Sequence, residues 1–357
     1  MKYEIGPIRP PSEAQSLLIR VTRGCHWNKC KFCGLYKNCK FSMRSQKDIL
    51  EDIKRAREVY KNRRFTSCFL QDSDAFVLST NKLLPIVEAI KSEFPEIKYI
   101  TSYARADSIL RKNLSEMKEL KDAGLNHLYC GMESGSDHVL KLVNKGSTGE
   151  QMKEAGILAK EAGMILSEFI LLGLGGKKYS DENAIQTAEV LNCIEPDYIR
   201  VHATAIKPET PLGEMLHNGE FLLQSEEEIV MEQRLFLEKL HSMNSYYVNE
   251  HIVNLLLEVR GSLKNDKKKM LAQIDCYLNM SPEDKENFAI GRRINQYFCL
   301  DDMKIESQKK SVSEYIQKLK VINVAFHIRS MVFSDRCSSR KRKCLRSVAC
   351  VLVQVKK

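Results

Sequence analysis

The chain has 357 residues, 43% hydrophobic and 29% charged, a composition that suits one large core or a core with a smaller companion. No apolar run approaches the roughly 20 residues that cross a bilayer, and the N-terminus lacks the apolar segment of a secretion signal, so a cytoplasmic protein is expected. The net charge of +10 gathers beyond residue 300, where fourteen Lys and Arg face five Asp and Glu, so the basicity belongs to a tail (RCSSRKRKCLR, 336–346). Such a tail suits non-specific contact with nucleic acid or an anionic surface, and equally a merely solvated end.

After an N-terminal segment (1–15), SLLIRVT (16–22) reads as a buried strand. It leads straight into RGCHWNKCKFCGLYK (23–37), whose cysteines are spaced C-x4-C-x2-C. Residues 46–60 have an amphipathic helical period, TSCFLQD (66–72) reads as a second strand and 81–94 as a second helix. IKYITSYA (97–104) precedes a helix at 114–123, HLYCGMES (127–134) one at 150–162, and LSEFILLGLGG (166–176) one at 181–193. DYIRVHAT (197–204) is the sixth strand. Six βα units predict an α/β protein built on a parallel sheet, a partial (β/α)6 TIM-like barrel over residues 16–215. KPETPLGEML (207–216) is the exit from that core. Residues 216–300 read as a helical extension, strongly so over 226–259, with a serine cap and a first-turn proline opening another helix at 281. Residues 301–357 form the basic tail, where the sequence no longer specifies order.

Thiols this crowded in a cytoplasmic chain suggest metal rather than disulfides. A structural zinc would need Cys39 or His26 as a fourth ligand beside Cys25, Cys30 and Cys33. Free thiols are the plain alternative, and an iron–sulfur cluster is the third reading. Location favours the cluster, because the loop follows the first strand of a βα core, where strand C-termini converge on an active site. Three thiolates would also leave one iron open.

The loop resembles the cluster-binding signature of the radical S-adenosylmethionine (SAM) superfamily, including the aromatic Phe32 before the last cysteine. Its first spacing is one residue longer than the family's usual C-x3-C. The similarity runs over residues 16–212. FLQDSDAFVL (69–78) stands where the family holds the SAM amine, so the resemblance implies an acceptor among Asp72, Ser73 and Asp74. In YARADS, Arg105 either pairs with the SAM carboxylate or forms a plain ion pair with Asp107. GMESGSDHVLKLVNKG (131–146) resembles the segment after strand four and implies that Glu133 and Ser134 contact the ribose or methionine end. FILLGLGG (169–176) resembles the fifth-strand segment, where Gly173 and Gly175 would let the backbone approach adenosine. Lys177 and Lys178 stand where relatives often carry an acid, so no role of that acid transfers.

The resemblance therefore implies a 4Fe–4S cluster on Cys25, Cys30 and Cys33, with SAM on the open iron. It also implies reductive cleavage to a 5′-deoxyadenosyl radical that takes hydrogen from an unidentified substrate. Reduced flavodoxin or ferredoxin is the expected donor. The nearest look is the coproporphyrinogen dehydrogenase and elongator-type group, and the short N-terminus leaves no room for a cobalamin-binding or methylthiotransferase domain. Cys68, Cys130, Cys193, Cys276 and Cys299 are isolated and read as core thiols. Two other classes are a zinc- or cluster-stabilised binding protein touching RNA through its tail, and a cofactor chaperone without turnover. On the substrate side, alternation along 197–204 turns Tyr198, Arg200, His202 and Thr204 to one face, expected to line the barrel, with Glu168 alongside. Arg200 and His202 then meet a polar or anionic substrate, or Arg200 pairs structurally with Glu168.

Overall fold

Six short strands run parallel and neighbour one another in chain order: β1 (Leu17–Arg20), β2 (Ser67–Gln71), β3 (Tyr99–Ala104), β4 (Leu125–Glu133), β5 (Ile165–Leu172) and β6 (Tyr198–Ala203). The computed structural model describes residues 8–321, with side chains through 318. Five helices return the chain between strands: α1 (Gln46–Val59), α2 (Thr80–Glu93), α3 (Leu114–Ala123), α4 (Gly149–Glu161) and α5 (Ser180–Ile194). Their starts are chemically marked. Ser45 accepts the Asp48 N–H at the head of α1, and capping boxes Asn113/Glu116 and Thr148/Gln151 open α3 and α4.

Lateral pairing sorts every strand residue onto one of two faces. The outer face carries Ile19, Leu70, Leu128, Leu166, Ile199 and Val201, all buried against the helices in one continuous core. Truncating one such side chain to alanine typically costs about 2–5 kcal/mol. The inner face carries Phe69, Tyr103, Tyr129, Phe169, Arg200 and His202.

Residues 226–259, expected to be helical throughout, are not. Helix α6 (Glu226–Lys239) ends where Leu240 turns extended and the His241 N–H goes to Asn192 Oδ1 at 2.7 Å. The β-prone Tyr246–Val248 then forms β7, parallel to β6, and Gly261–Ser262 forms β8, antiparallel to β7. The sheet thus has eight strands in the order β1 to β8, and no pairing joins its two ends among the described residues, leaving a partial barrel.

Helices α7 (Leu263–Leu278), α8 (Pro282–Arg293) and α9 (Glu306–Val321) complete the described chain. Ser281 caps α8 as its sequence indicates, accepting the Asp284 N–H at 3.1 Å. The boundary placed at residue 300 falls inside packed structure, since Met303, Val312 and Ile316 are buried in the common core. The strongly basic stretch 336–346 lies outside the described residues. No helix among the described residues is long and apolar enough to cross a membrane.

Candidate functional site at the C-terminal rim of the sheet

Strand β1 ends at Arg20, and the loop that follows is pinned by the two residues just past β2. The Gly24 N–H donates to Asp72 Oδ2 at 3.3 Å, the Arg20 guanidinium reaches the same oxygen at 3.3 Å, and the Ser73 hydroxyl donates to the Gly24 carbonyl at 2.8 Å. Within the loop, Asn28 Nδ2 and the Cys39 N–H both donate to the Tyr36 carbonyl, at 2.8 and 3.0 Å. Cys30 is buried, while Cys25 and Cys33 are half-buried.

A chain of charges straps this loop to β3 and β4. His26 lies between two carboxylates, Nδ1 at 3.3 Å from Asp74 and Nε2 at 3.0 Å from Asp107. Asp74 also accepts from Ser108 at 2.5 Å, and its burial pushes it up to about 6. At Asp107 burial acts in the same upward direction, but the hydrogen bond from His26 and the Arg105 charge outweigh it and hold the carboxyl down to about 2. Arg105 Nε meets Asp107 at 2.8 Å and its Nη2 donates to the Lys145 carbonyl at 2.9 Å. The Asp107 pairing weighed from sequence is therefore present, although Arg105 is buried rather than on the surface.

Lys145 was not singled out by its sequence, yet it is a buried cation that acts on Cys30. Its ammonium sits 3.0 Å from Glu133 Oε1. Burial works against its charge, but Glu133 and Cys30 outweigh that and hold it above its ordinary range. Burial pushes the Cys30 and Cys33 thiols up, and at Cys30 the charges of Lys145 and Arg105 pull back toward thiolate. Glu133 adopts φ +68°, a conformation non-glycine residues seldom hold. Gly131 makes its pair with Lys145 possible, because a Cβ there would lie 2.7 Å from Glu133 Oε1 and 3.1 Å from Lys145 Nζ. Gly146, at φ +81°, is the floor for Trp27, whose ring would be 2.3 Å from an added Cβ. The indole N–H donates to the Asn144 carbonyl at 2.8 Å, and Arg105 lies over the ring at 5.4 Å.

Other expected residues divide. Phe32 packs with Val139, Val143 and Leu174, joining the cysteine loop to the turns after β4 and β5. Ser134 is fully buried; its hydroxyl donates to Asn183 at 2.6 Å and accepts the Ser136 N–H at 3.0 Å. These two bonds make Ser134 a support of the turn after β4. Gly173 (φ +77°) and Gly175 lie in the turn after β5. Glu232, on α6, organises that turn: buried, it accepts from the Gly173 N–H, Asn183 and Gln224 at 2.8–2.9 Å and from Ser180 at 2.8 Å. Sequence reading missed Glu232, whose nearest partner in this set lies eight residues away and whose others lie 49 or more.

The inner face behaves as alternation predicts on β6. Arg200 stacks over Tyr129 and Tyr198 at 5.3 and 5.5 Å, with Nε 3.4 Å from Ser167 Oγ. His202 meets the edge of Phe169 at 5.2 Å and stacks on His251 at 4.1 Å, and burial pushes it down to about 3. His251, from the loop after β7, is a second polar group that the helical reading of 226–259 concealed. Glu168 requires correction. It pairs laterally with Ile199 and Cys130, so it faces the helices, opposite to Arg200, and the Arg200–Glu168 pair does not form. Buried there, its carboxyl is pushed up to about 8.

The donor set suits a cubane cluster better than a zinc ion. Both ring nitrogens of His26 face carboxylates, and Cys39 packs against Gly24. Buried cations beside Cys30 fit the negative charge of a thiolate-bound cluster.

Residues 19–191 match the model of the radical SAM superfamily. An uncharacterized methyltransferase of Pyrococcus horikoshii is 26% identical over 211 residues, covering 58% of this chain and 43% of that protein. The tRNA-2-methylthio-N(6)-dimethylallyladenosine synthase of Chlorobium phaeobacteroides is 26% identical over 201 residues, covering 55% and 43%. The chain thus spans under half the length of these curated relatives. Among solved structures, coproporphyrinogen III oxidase from Escherichia coli superposes with a TM-score of 0.49 at 20% identity, covering 63% of this chain and 52% of that one.

Proposed function

We propose, for a chain that belongs to the radical SAM superfamily through residues 19–191, that it cleaves SAM reductively and abstracts hydrogen from a polar or anionic substrate. The observation that carries this reading is the placement of three thiols at the C-terminal rim of a parallel sheet, with the buried cations Lys145 and Arg105 beside Cys30. Cys25, Cys30 and Cys33 would hold a 4Fe–4S cluster. When bound and reduced, it supplies the electron that splits SAM into methionine and a 5′-deoxyadenosyl radical.

The chain's own residues do the rest. Lys145 and Arg105 balance the thiolate charge, and Glu133 keeps Lys145 in place. Asp72 and Ser73 fix the start of the cysteine loop. Any of Asp72, Ser73 and Asp74 that accepts the SAM amine does so while carrying these contacts. Phe32 and the Gly173–Gly175 turn flank the space for adenosine. Tyr103, Tyr129 and Phe169 form an aromatic wall that keeps water from a reactive radical. Arg200 and His202 offer the polar contacts to substrate, Arg200 through a guanidinium that has no carboxylate partner on its face of β5. A one-electron donor is required, and a cytoplasmic setting agrees with that need.

The test is anaerobic reconstitution with iron and sulfide, followed by reduction with dithionite in the presence of SAM. Formation of 5′-deoxyadenosine is the expected outcome. A protein that binds iron, sulfide and SAM yet makes none would be a cofactor carrier, and a zinc-only protein would end the reading. Arg200→Gln should keep cluster content and slow uncoupled cleavage while losing stimulation by substrate.

A further inference from the structure

Residues 54–64 carry six Lys or Arg and one acid, Glu58, although the start of α1 is acidic with Asp48, Glu51 and Asp52. The cations gather where α1 ends and the chain turns toward β2. That turn and the one between α2 and β3 border a cavity of about 470 Å³, lined by Arg57, Lys61, Arg63, Arg64, Pro95 and Glu96. Its volume is that of a small-molecule site. Both turns feed the N-terminal ends of their strands, so the cavity lies at the end of the sheet opposite the cysteine loop.

Two of the four cations are held in place. Arg57 Nη1 meets Glu96 at 3.1 Å, and its guanidinium lies over the Phe94 ring at 4.9 Å. Arg63 lies over Phe65 at 4.7 Å, and its Nη2 donates to Gln15 at 3.0 Å. Phe65 and Phe94 are buried and pack edge to face, so both guanidinium groups rest on one aromatic base. Lys61 and Arg64 are exposed and make no hydrogen bond or ion pair with their side chains among the described residues. A helix C-terminus attracts cations through its dipole, yet none of these four side chains donates to a carbonyl of α1. Glu96 is the one acid in the lining, which leaves the four cations with a balance of +3.

We propose that this cavity binds a small anion with two linked phosphate groups, at a site separate from the radical chemistry. Two phosphates at about −1.5 to −2 each near neutral pH answer the charge of the lining. The guanidinium groups of Arg57 and Arg63, held by stacking and by one hydrogen bond each, offer planar donor pairs that fit phosphate oxygens. Lys61 and Arg64 supply charge that the protein itself leaves unanswered, and a concave lining of one sign concentrates an anion. A single carboxylate would neutralise only a fraction of it. A long polyanion needs a track of cations, and here the acidic start of α1 interrupts any track. Inorganic pyrophosphate and an organic diphosphate share the required chemistry. The site does not depend on the radical SAM reading.

The experiment titrates the reconstituted full chain calorimetrically, at low and high salt, with inorganic pyrophosphate, ADP and inorganic phosphate. Lys61→Glu/Arg64→Glu and Lys61→Ala/Arg64→Ala are compared with the parent, with melting temperature, iron and sulfide measured for each. Pyrophosphate should bind the parent about tenfold or more tighter than phosphate, and more weakly at high salt. ADP binding tighter than pyrophosphate assigns an organic diphosphate, and equal or weaker binding assigns pyrophosphate itself. The charge-reversed protein should lose about tenfold or more in pyrophosphate affinity and the alanine protein about threefold, with iron, sulfide and melting temperature as in the parent. If charge reversal lowers the melting temperature, the alanine protein decides. Parental pyrophosphate binding in both variants would place the anion elsewhere, such as on the basic stretch 336–346, and overturns the proposal. A parent that holds phosphate as tightly as pyrophosphate overturns it too. A single-stranded RNA without terminal phosphates that displaces pyrophosphate, and is itself lost on charge reversal, would overturn the choice of ligand.

Discussion

The two halves of the site's rim are held by different means. On the side of β1 to β4, the cysteine loop is tied down by charges, from Arg20 and Asp72 through His26, Asp107 and Arg105 to Lys145 and Glu133. On the side of β5 and β6, the glycine turn is held by one buried carboxylate, Glu232, reaching in from the C-terminal helices. The first half fixes the groups proposed to hold metal, and it sets buried cations beside the Cys30 thiol. The second shapes a backbone surface and needs only satisfied hydrogen bonds. If this division is right, damage to one half should leave the other readable.

The largest effect is expected at Cys30. Cys30→Ala should reduce reconstituted iron and sulfide to near background, whereas Cys39→Ala should load like the parent, since Cys39 stands outside the signature and packs on Gly24. Equal loss in the two variants would dissolve the distinction between ligand and neighbour.

Next comes the buried pair on the charged side. Lys145→Met leaves Glu133 without its partner and removes a buried cation that acts on Cys30, and should destabilise the apoprotein by about 3–5 kcal/mol in urea titration. Adding Glu133→Gln should recover part of that loss, because the stranded charge is then gone. A Lys145→Met protein as stable as the parent would show the pair to be idle.

The smallest effect belongs to the hydrogen-bonded side. Glu232→Ala strands the Gly173 N–H with Asn183, Gln224 and Ser180 nearby, a cost of about 1–3 kcal/mol. Amide exchange at Gly173 should accelerate while iron content stays unchanged. Unaltered exchange there would mean that the turn keeps its shape unaided.

The same division governs what could be read from the chain beforehand. Cysteine spacing, strand alternation and helix caps are local patterns, and they located β1 to β6, Cys25, Cys30, Cys33, and the inward Arg200 and His202. Lys145 and Glu232 act on residues distant in sequence, so no short window contains their meaning. Glu168 was misplaced because its strand, ILSEFILL, is apolar on both faces, which removes the contrast that phase assignment needs. The neighbouring strand also shifts register between Gly131 and Glu133. The helical reading of 226–259 failed because neither Gly nor Pro interrupts that run; the helix ends at a tertiary contact with Asn192.

Trp27 is the only tryptophan in the chain, and it is wedged between Gly146 and Arg105, two residues from the first thiol. Near-ultraviolet excitation at the red edge therefore interrogates a single point of the molecule, and that point is the lid of the metal loop. Emission intensity and wavelength become a direct optical readout of cluster insertion, because an iron–sulfur chromophore so close quenches the indole. The protein carries its own dye at the place where loading must be watched.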